Sequence, residues 1–173
     1  MRDLMKRKFI SMNDLVSKLH DGASLMVGGF MDIGTPEAIV DAIVASSLKD
    51  LTIICNDAGL PGVGVGKLID AGKVKKLIAS HIGLNPVAGQ KMTSGELEVE
   101  LIPQGTLAER IRAAGAGLGG FLTPTGIGTI VQEGKQVWNV DGRDYLLEKP
   151  LPADFAILFG HVVDKKGNTV YSK

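Results

Sequence analysis

A carboxamide placed where an apolar strand gives way to a helix can donate to a developing oxyanion, and Gln104 occupies such a position. Residues 97–102 read as a strand, Pro103 opens a helix, and Gln104 follows it directly. Asn56 ends another apolar run, 51–55, at the same edge of the expected sheet. Each amide also has a plainer use, Gln104 as a polar helix-cap residue and Asn56 as a turn residue. A third candidate is backbone. Residues 24–27 form a short apolar run that stops at Gly28-Gly29-Phe30, and Gly34 precedes the helix start Thr35-Pro36-Glu37. A buried strand, a glycine turn and a helix N-terminus in that order put N–H groups at the carboxyl edge of a sheet, where open α/β folds bind ligands. Gly28, Gly29 and Gly34 then shape a pocket through backbone, and Phe30 is either a wall of that pocket or core.

The elements that must hold these residues alternate. Ser11 and Asp14, with Leu15 and Leu19 at helical spacing, predict a capped helix ending near Asp21-Gly22. The run 24–27 predicts a buried strand. Thr35 as cap, Pro36 in the first turn and Glu37 at the positive dipole end predict a helix whose apolar face is Ile39, Ile43 and Val44. Strands follow at 51–55, 75–79 and 97–102, with a short helix over 64–72. After Pro103, Leu107, Ile111 and Ala114 share a helix face, leaving Glu109, Arg110 and Arg112 to solvent. This pattern predicts an α/β fold: a three-layer, open, mostly parallel sheet with helices on both faces. The tail differs. Segments 129–132, 136–140 and 145–148 are separated by Glu133-Gly134-Lys135 and Asp141-Gly142-Arg143-Asp144, which predicts a β meander. Segment 153–160 returns as a core strand. No linker divides the chain, so a single domain over 1–173 is expected.

Composition narrows the function classes. Nineteen basic residues balance nineteen acidic ones, which argues against broad electrostatic binding of nucleic acid. Aromatic residues are 5% of the chain, too few for a base-stacking platform. No stretch approaches the roughly 20 apolar residues that span a bilayer, and no long apolar run follows the basic residues 1–8, so neither a membrane span nor a secretory signal is expected. Cys55 is the one cysteine; no internal disulfide can form, and a reducing cytoplasm is the expected setting. Its place in an apolar strand marks it as packing rather than as a nucleophile.

Three further motifs lack the context their chemistry needs. Gly115, Gly117 and Gly120 spell a dinucleotide fingerprint, but after a helix instead of a strand. Gly66-Lys67 is followed by Leu68, and Pro61 stands where a phosphate-binding loop needs glycine. His20, His81 and His161 are scattered without metal-ligand spacing, so no metal is expected. His81 shares a loop with candidate site residues and is kept as one of them.

The motifs as a set resemble the family I CoA-transferases. The segment from Asp21-Gly22 through Gly28-Gly29-Phe30 and Gly34 to Pro36 carries every fixed position of that family's first signature. Cys55-Asn56-Asp57-Ala58-Gly59, Ser80-His81-Ile82-Gly83 with Asn85, Ser94-Gly95-Glu96-Leu97, and 103–110 follow in family order. Gly115-Ala116-Gly117-Leu118-Gly119-Gly120-Phe121 and Thr123-Pro124-Thr125-Gly126 complete the series, and the likeness spans roughly 12–171. It is greatest to the bacterial short-chain (acetate/acetoacetate) α subunits and extends to the N-terminal half of succinyl-CoA:3-ketoacid enzymes.

That resemblance implies a ping-pong transfer of CoA between an acyl-CoA and a short-chain carboxylate. A glutamate attacks the thioester, passes through a mixed anhydride and then holds CoA as a glutamyl thioester. In two-subunit members the glutamate lies in a Ser-Glu-Asn-Gly segment of the β subunit, and this chain has no such segment. The expected partner is therefore a β subunit, in a heterotetramer or larger assembly, with no cofactor beyond the CoA substrate. The resemblance places Gln104 across the subunit interface from the reactive glutamyl group and Asn56 near it. Gly28, Gly29, Phe30, Gly34, His81, Gly119 and Gly120 are implied as substrate-binding positions. The family's α subunits continue with further strands past the position of Lys173, so this domain is expected without that C-terminal segment. Two rival readings remain: a sugar-phosphate-isomerase-like member of the same fold, and a non-catalytic binding or assembly protein.

Overall fold

The computed structural model describes residues 8–172. Five parallel strands form its centre: β1 (Ser24–Val27), β2 (Leu51–Ile54), β3 (Val74–Ala79), β4 (Glu98–Leu101) and β8 (Phe155–Ile157), in the order β4-β3-β2-β1-β8. Helices α1 (Met12–Val16), α2 (Glu37–Ala45), α3 (Val65–Asp70), α4 (Pro86–Ser94) and α5 (Gln104–Gly115) alternate with them. The inner strands β1 and β2 are largely apolar on both sides because both sides are covered, whereas β3 and the edge strand β4 carry Lys76, Glu98 and Glu100. Leu25, Ile53 and Leu77 meet Val40 and Ile43 of α2 and Leu68 of α3 in one core. Ile54 and Ile78 face the other way, against Leu107 and Ile111 of α5 and Leu151. The expected three-layer α/β architecture is the one observed.

The chain steps outward from β1 to β4, then returns across the α5 face to place β8 beside β1. The strand order therefore reverses between β1 and β8, and the loops beyond their carboxyl ends diverge. Such a reversal opens a crevice at the sheet edge. On the return, a small antiparallel sheet in the order β5-β7-β6 is made by β5 (Phe121–Thr123), β6 (Val137–Val140) and β7 (Arg143–Glu148). Asp141 and Gly142 turn β6 into β7 at φ 50° and 80°, the left-handed pair that a two-residue hairpin requires. A last two-strand ladder joins β9 (Val162–Val163) to β10 (Thr169–Val170).

Local differences from the sequence reading have physical causes. Helix α1 ends at Val16 rather than near Asp21, although Ser11 caps it as expected by accepting the Asp14 N–H. Pro36, not Thr35, is the N-cap of α2, and Thr35 is buried instead. Residues 129–132 are not a strand; Thr129 caps a single 3-10 turn there, and the first strand of the small sheet is β5. Helix α4 was not anticipated, because Gly89, Gln90, Lys91 and Thr93 dilute its apolar face. Its ends were nevertheless written in the sequence: Asn85-Pro86 opens it and Gly95, at φ 79°, closes it.

Asn85 does more than cap. It is 1% exposed; Oδ1 accepts from Ala88 N at 3.0 Å, and Nδ2 donates to the Ala58 carbonyl at 3.0 Å. It thus clamps the loop after β2 to the start of α4. Asn85→Ala removes a cap and leaves a buried carbonyl unpaired, so we expect a loss of about 1–3 kcal/mol in urea denaturation.

Candidate active site

Side-chain hydrogen bonds join the loops beyond four adjacent strands. The Asn56 carboxamide, just past β2, donates through Nδ2 to the Gly29 carbonyl past β1 at 2.6 Å. Its Oδ1 accepts from Gln104 Nε2, at the start of α5, at 2.7 Å. The hydroxyl of Ser80, just past β3, shares its one proton between two acceptors, the Asn56 carbonyl at 2.7 Å and Gln104 Oε1. Asn56 is half-buried and Gln104 exposed, so the relay runs from the sheet edge out to solvent. One N–H of the Gln104 amide is engaged by Asn56; the other meets no partner among the described residues.

Beside this relay, the loop after β1 folds into a tight knuckle. Phe30 and Ile33 exchange backbone hydrogen bonds at 3.0 Å, and the two residues between them, Met31 and Asp32, take φ 47° and 66°. A side chain there costs of order 1–3 kcal/mol of strain per residue, least for Asp. Two carboxylates hold the turn. Asp57, 6% exposed, accepts from Met31 N through Oδ2 and from Gly59 N through Oδ1, both at 2.9 Å. Asp32 accepts from Leu60 N at 3.0 Å. A Cβ on Gly64 would lie 2.5 Å from Asp32 Oδ1, and one on Gly59 2.9 Å away, so those two glycines make room for the carboxylate. Burial raises the Asp32 pKa above the usual carboxylate range, with smaller contributions from the charges of Asp57 and Glu37, and the Leu60 N–H only partly offsets this. Burial likewise pushes the Cys55 thiol far up, leaving it neutral and unreactive.

A crevice of about 350 Å³ opens where the loops after β1 and β8 part. Its walls include Gly28, Gly29, Phe30, Asn56, Phe159 and Tyr171. Phe30 is 59% exposed, so it belongs to the crevice wall and not to the core. Gly34 lines the same crevice. His81 is exposed on the loop after β3; its backbone pairs with Asp57, and its ring curls back over Gly83. Gly119 and Gly120 are not brought to this group. They follow the far end of α5, about 17 Å along the helix from Gln104, and Gly120 packs against the Glu148 carbonyl.

Ser80, Asp57 and Asp32 were not singled out from sequence. Asp57 carried a readable signal, an acidic residue at a strand end two positions before Gly59, which is the pattern of an Asx turn. Ser80 and Asp32 had none, since their partners are 24 and 28 residues away.

Two further acids lie elsewhere. Glu96 accepts from Ser94 at 2.9 Å, and Glu109 is paired with Arg112. Among the described residues no group of three or more His, Cys, Asp or Glu could hold a metal, and no helix is long and apolar enough to cross a membrane.

An open parallel sheet whose strand-end loops converge on two amides and a glycine turn is the architecture of an α/β enzyme with its site at the carboxyl edge. Residues 9–173 match the coenzyme A transferase family, and the chain belongs to that family. It is 53% identical over 167 residues to the acetate CoA-transferase subunit alpha of Escherichia coli K12, covering 96% of this chain and 76% of that one. It is also 53% identical to the acetoacetyl-CoA:acetate/butyrate CoA transferase alpha subunit of Clostridium acetobutylicum, covering 96% of this chain and 77% of that one. An acyl-CoA transferase from E. coli O157:H7, solved as a thioester complex with CoA, superposes with a TM-score of 0.83 at 24% identity. That likeness, in fold, covers 94% of this chain and 36% of that one.

Two expectations follow from the knuckle. Gly29 sits at φ 118°, and a Cβ there would lie 2.4 Å from Thr35 Oγ1. Gly29→Val should cost at least about 2 kcal/mol and lower the melting temperature. Asp32 behaves in the opposite sense. Its folded pKa is raised, so the penalty for its charge is complete above that pKa and absent below the ordinary value of 3.8. Asp32→Asn keeps an acceptor for Leu60 N and tolerates the left-handed turn. It should be at least as stable as the parent at neutral pH, with any advantage vanishing as pH falls toward 3.8. Denaturation midpoints across that range check the sign.

Proposed function

We propose that this chain is the α subunit of a two-subunit transferase that moves CoA between an acyl-CoA and a short-chain carboxylate such as acetate, acetoacetate or butyrate. The observation that carries the reading is the Asn56–Gln104 relay, which aims an amide N–H off the carboxyl edge of the sheet while both neighbouring carboxylates are occupied. Asp57 and Asp32 each accept backbone N–H groups and form part of the knuckle's support. The site thus offers donors without a free carboxylate nucleophile. A glutamate from a partner chain supplies that nucleophile and forms the acyl anhydride and then the CoA thioester. Gln104 donates to the oxyanion that develops at its carbonyl, and Asn56 holds Gln104 in place.

The support for a partner is that the E. coli K12 and C. acetobutylicum relatives are named as alpha subunits. Phe30, Ile33, Phe159 and Tyr171 are 59%, 77%, 46% and 63% exposed around the crevice, an apolar surface suited to being covered. CoA enters as a substrate, and the proposed chemistry uses no metal or further cofactor. A cytoplasmic setting fits the single unpaired thiol.

The test is acetate-dependent consumption of acetoacetyl-CoA by this chain alone and after assembly with a β subunit of the relatives' kind. Activity is expected only in the assembly. Gln104→Ala should lower kcat there by about 10²–10³-fold, with an unchanged melting profile. Full activity of the chain alone would place the nucleophile within it and overturn the shared site.

A further inference from the structure

We infer that Ser80 is a positioning residue that sets which edge of the Gln104 carboxamide faces the reacting group, an inference that rests on the donor role proposed for Gln104. A glutamine side chain at a helix N-terminus can turn its amide over, presenting oxygen where nitrogen is needed. Two contacts define its sense here. Asn56 Oδ1 accepts from Nε2 at 2.7 Å, and the Ser80 hydroxyl donates to Oε1. With the oxygen held at β3 and one N–H held at β2, the second N–H is left for a ligand. An amide turned over would set its oxygen against Asn56 Oδ1 and present an acceptor to an oxyanion, which is repulsive.

The position of Ser80 is itself well determined. Its backbone N–H donates to the Asn56 carbonyl at 3.0 Å, and its single hydroxyl proton is shared between that carbonyl, 2.7 Å away, and Gln104 Oε1. The carbonyl keeps its backbone donor when the hydroxyl is removed, so Ser80→Ala leaves no orphaned acceptor at Asn56. The structure therefore separates what Ser80 does for the fold from what it does for Gln104.

The experiment uses the assembled two-subunit enzyme with Ser80→Ala, Ser80→Thr, Gln104→Ala and the double variant. Ser80→Ala should lower kcat between about 10- and 100-fold, as expected for a mis-set catalytic group. Both substrate KM values should stay within about twofold, because ground-state binding is not what the hydroxyl supplies. Ser80→Thr should restore most of kcat, and the double variant should be no slower than Gln104→Ala, since Ser80 acts through that amide. Wild-type kcat in Ser80→Ala, no recovery in Ser80→Thr, or additive losses in the double variant would each overturn the inference. Loss in Gln104→Ala with a neutral Ser80→Ala removes Ser80 alone, whereas a neutral Gln104→Ala removes the donor role and the inference with it. Should Ser80→Ala fail to assemble, Ser80→Cys gives the same test, because a thiol donates weakly and the same fall in kcat is expected.

Discussion

The buried carboxylate of Asp57 is the constraint on which the sheet edge depends. It lies at the end of β2 and reaches back to the loop after β1, where it takes the N–H of Met31. With its other oxygen it closes its own turn onto Gly59. A charge 6% exposed is costly to bury without such donors. The left-handed pair Met31–Asp32 is equally costly without an external clamp. Each cost is offset by the same bonds. The result is a loop that departs from ordinary backbone geometry yet stays in one place, and it is this loop that presents Gly28, Gly29 and Phe30 to the crevice.

The order of the strands explains why such cross-loop bonds are available. In a parallel sheet every strand ends at the same edge, so residues far apart in sequence emerge side by side. Gly29, Asn56, Ser80 and Gln104 follow β1, β2, β3 and β4 in turn, and each pair of neighbours in that series is hydrogen-bonded or bridged by Asn56. An antiparallel sheet would scatter these four positions over two edges. The reversal between β1 and β8 then sends their strand-end loops apart and leaves open space between them beside the relay.

Much of this was legible in the sequence. The apolar runs, Pro103 and the Asp141-Gly142 turn specify strands, a helix start and a hairpin through local chemistry alone, and the structure has them at those positions. Asn56 and Gln104 could be placed at one sheet edge because each follows a strand that ends abruptly, at Cys55 and at Pro103. What escaped depends on partners remote in sequence or on weak periodicity. Helix α4 lacks a continuous apolar face and was hidden despite its caps. Asp32 reads as a polar loop residue until Gly59 and Gly64 are seen to vacate space for its carboxylate. The strand expected at 129–132 fails because Thr129, whose hydroxyl accepts the Val131 N–H, favours a tight turn over an extended segment.

The edge beside Gln104 favours an anionic group. A carboxylate approaching Gln104 meets the N-terminus of a twelve-residue helix, whose free N–H groups carry partial positive charge. The neighbouring carboxylates Asp57 and Asp32 are already committed to backbone N–H donors. Committing the resident acids to the backbone holds a strained loop in shape. A nucleophile resident in the same loops could not be held this way, because the donors that stabilise a structural carboxylate also reduce its reactivity.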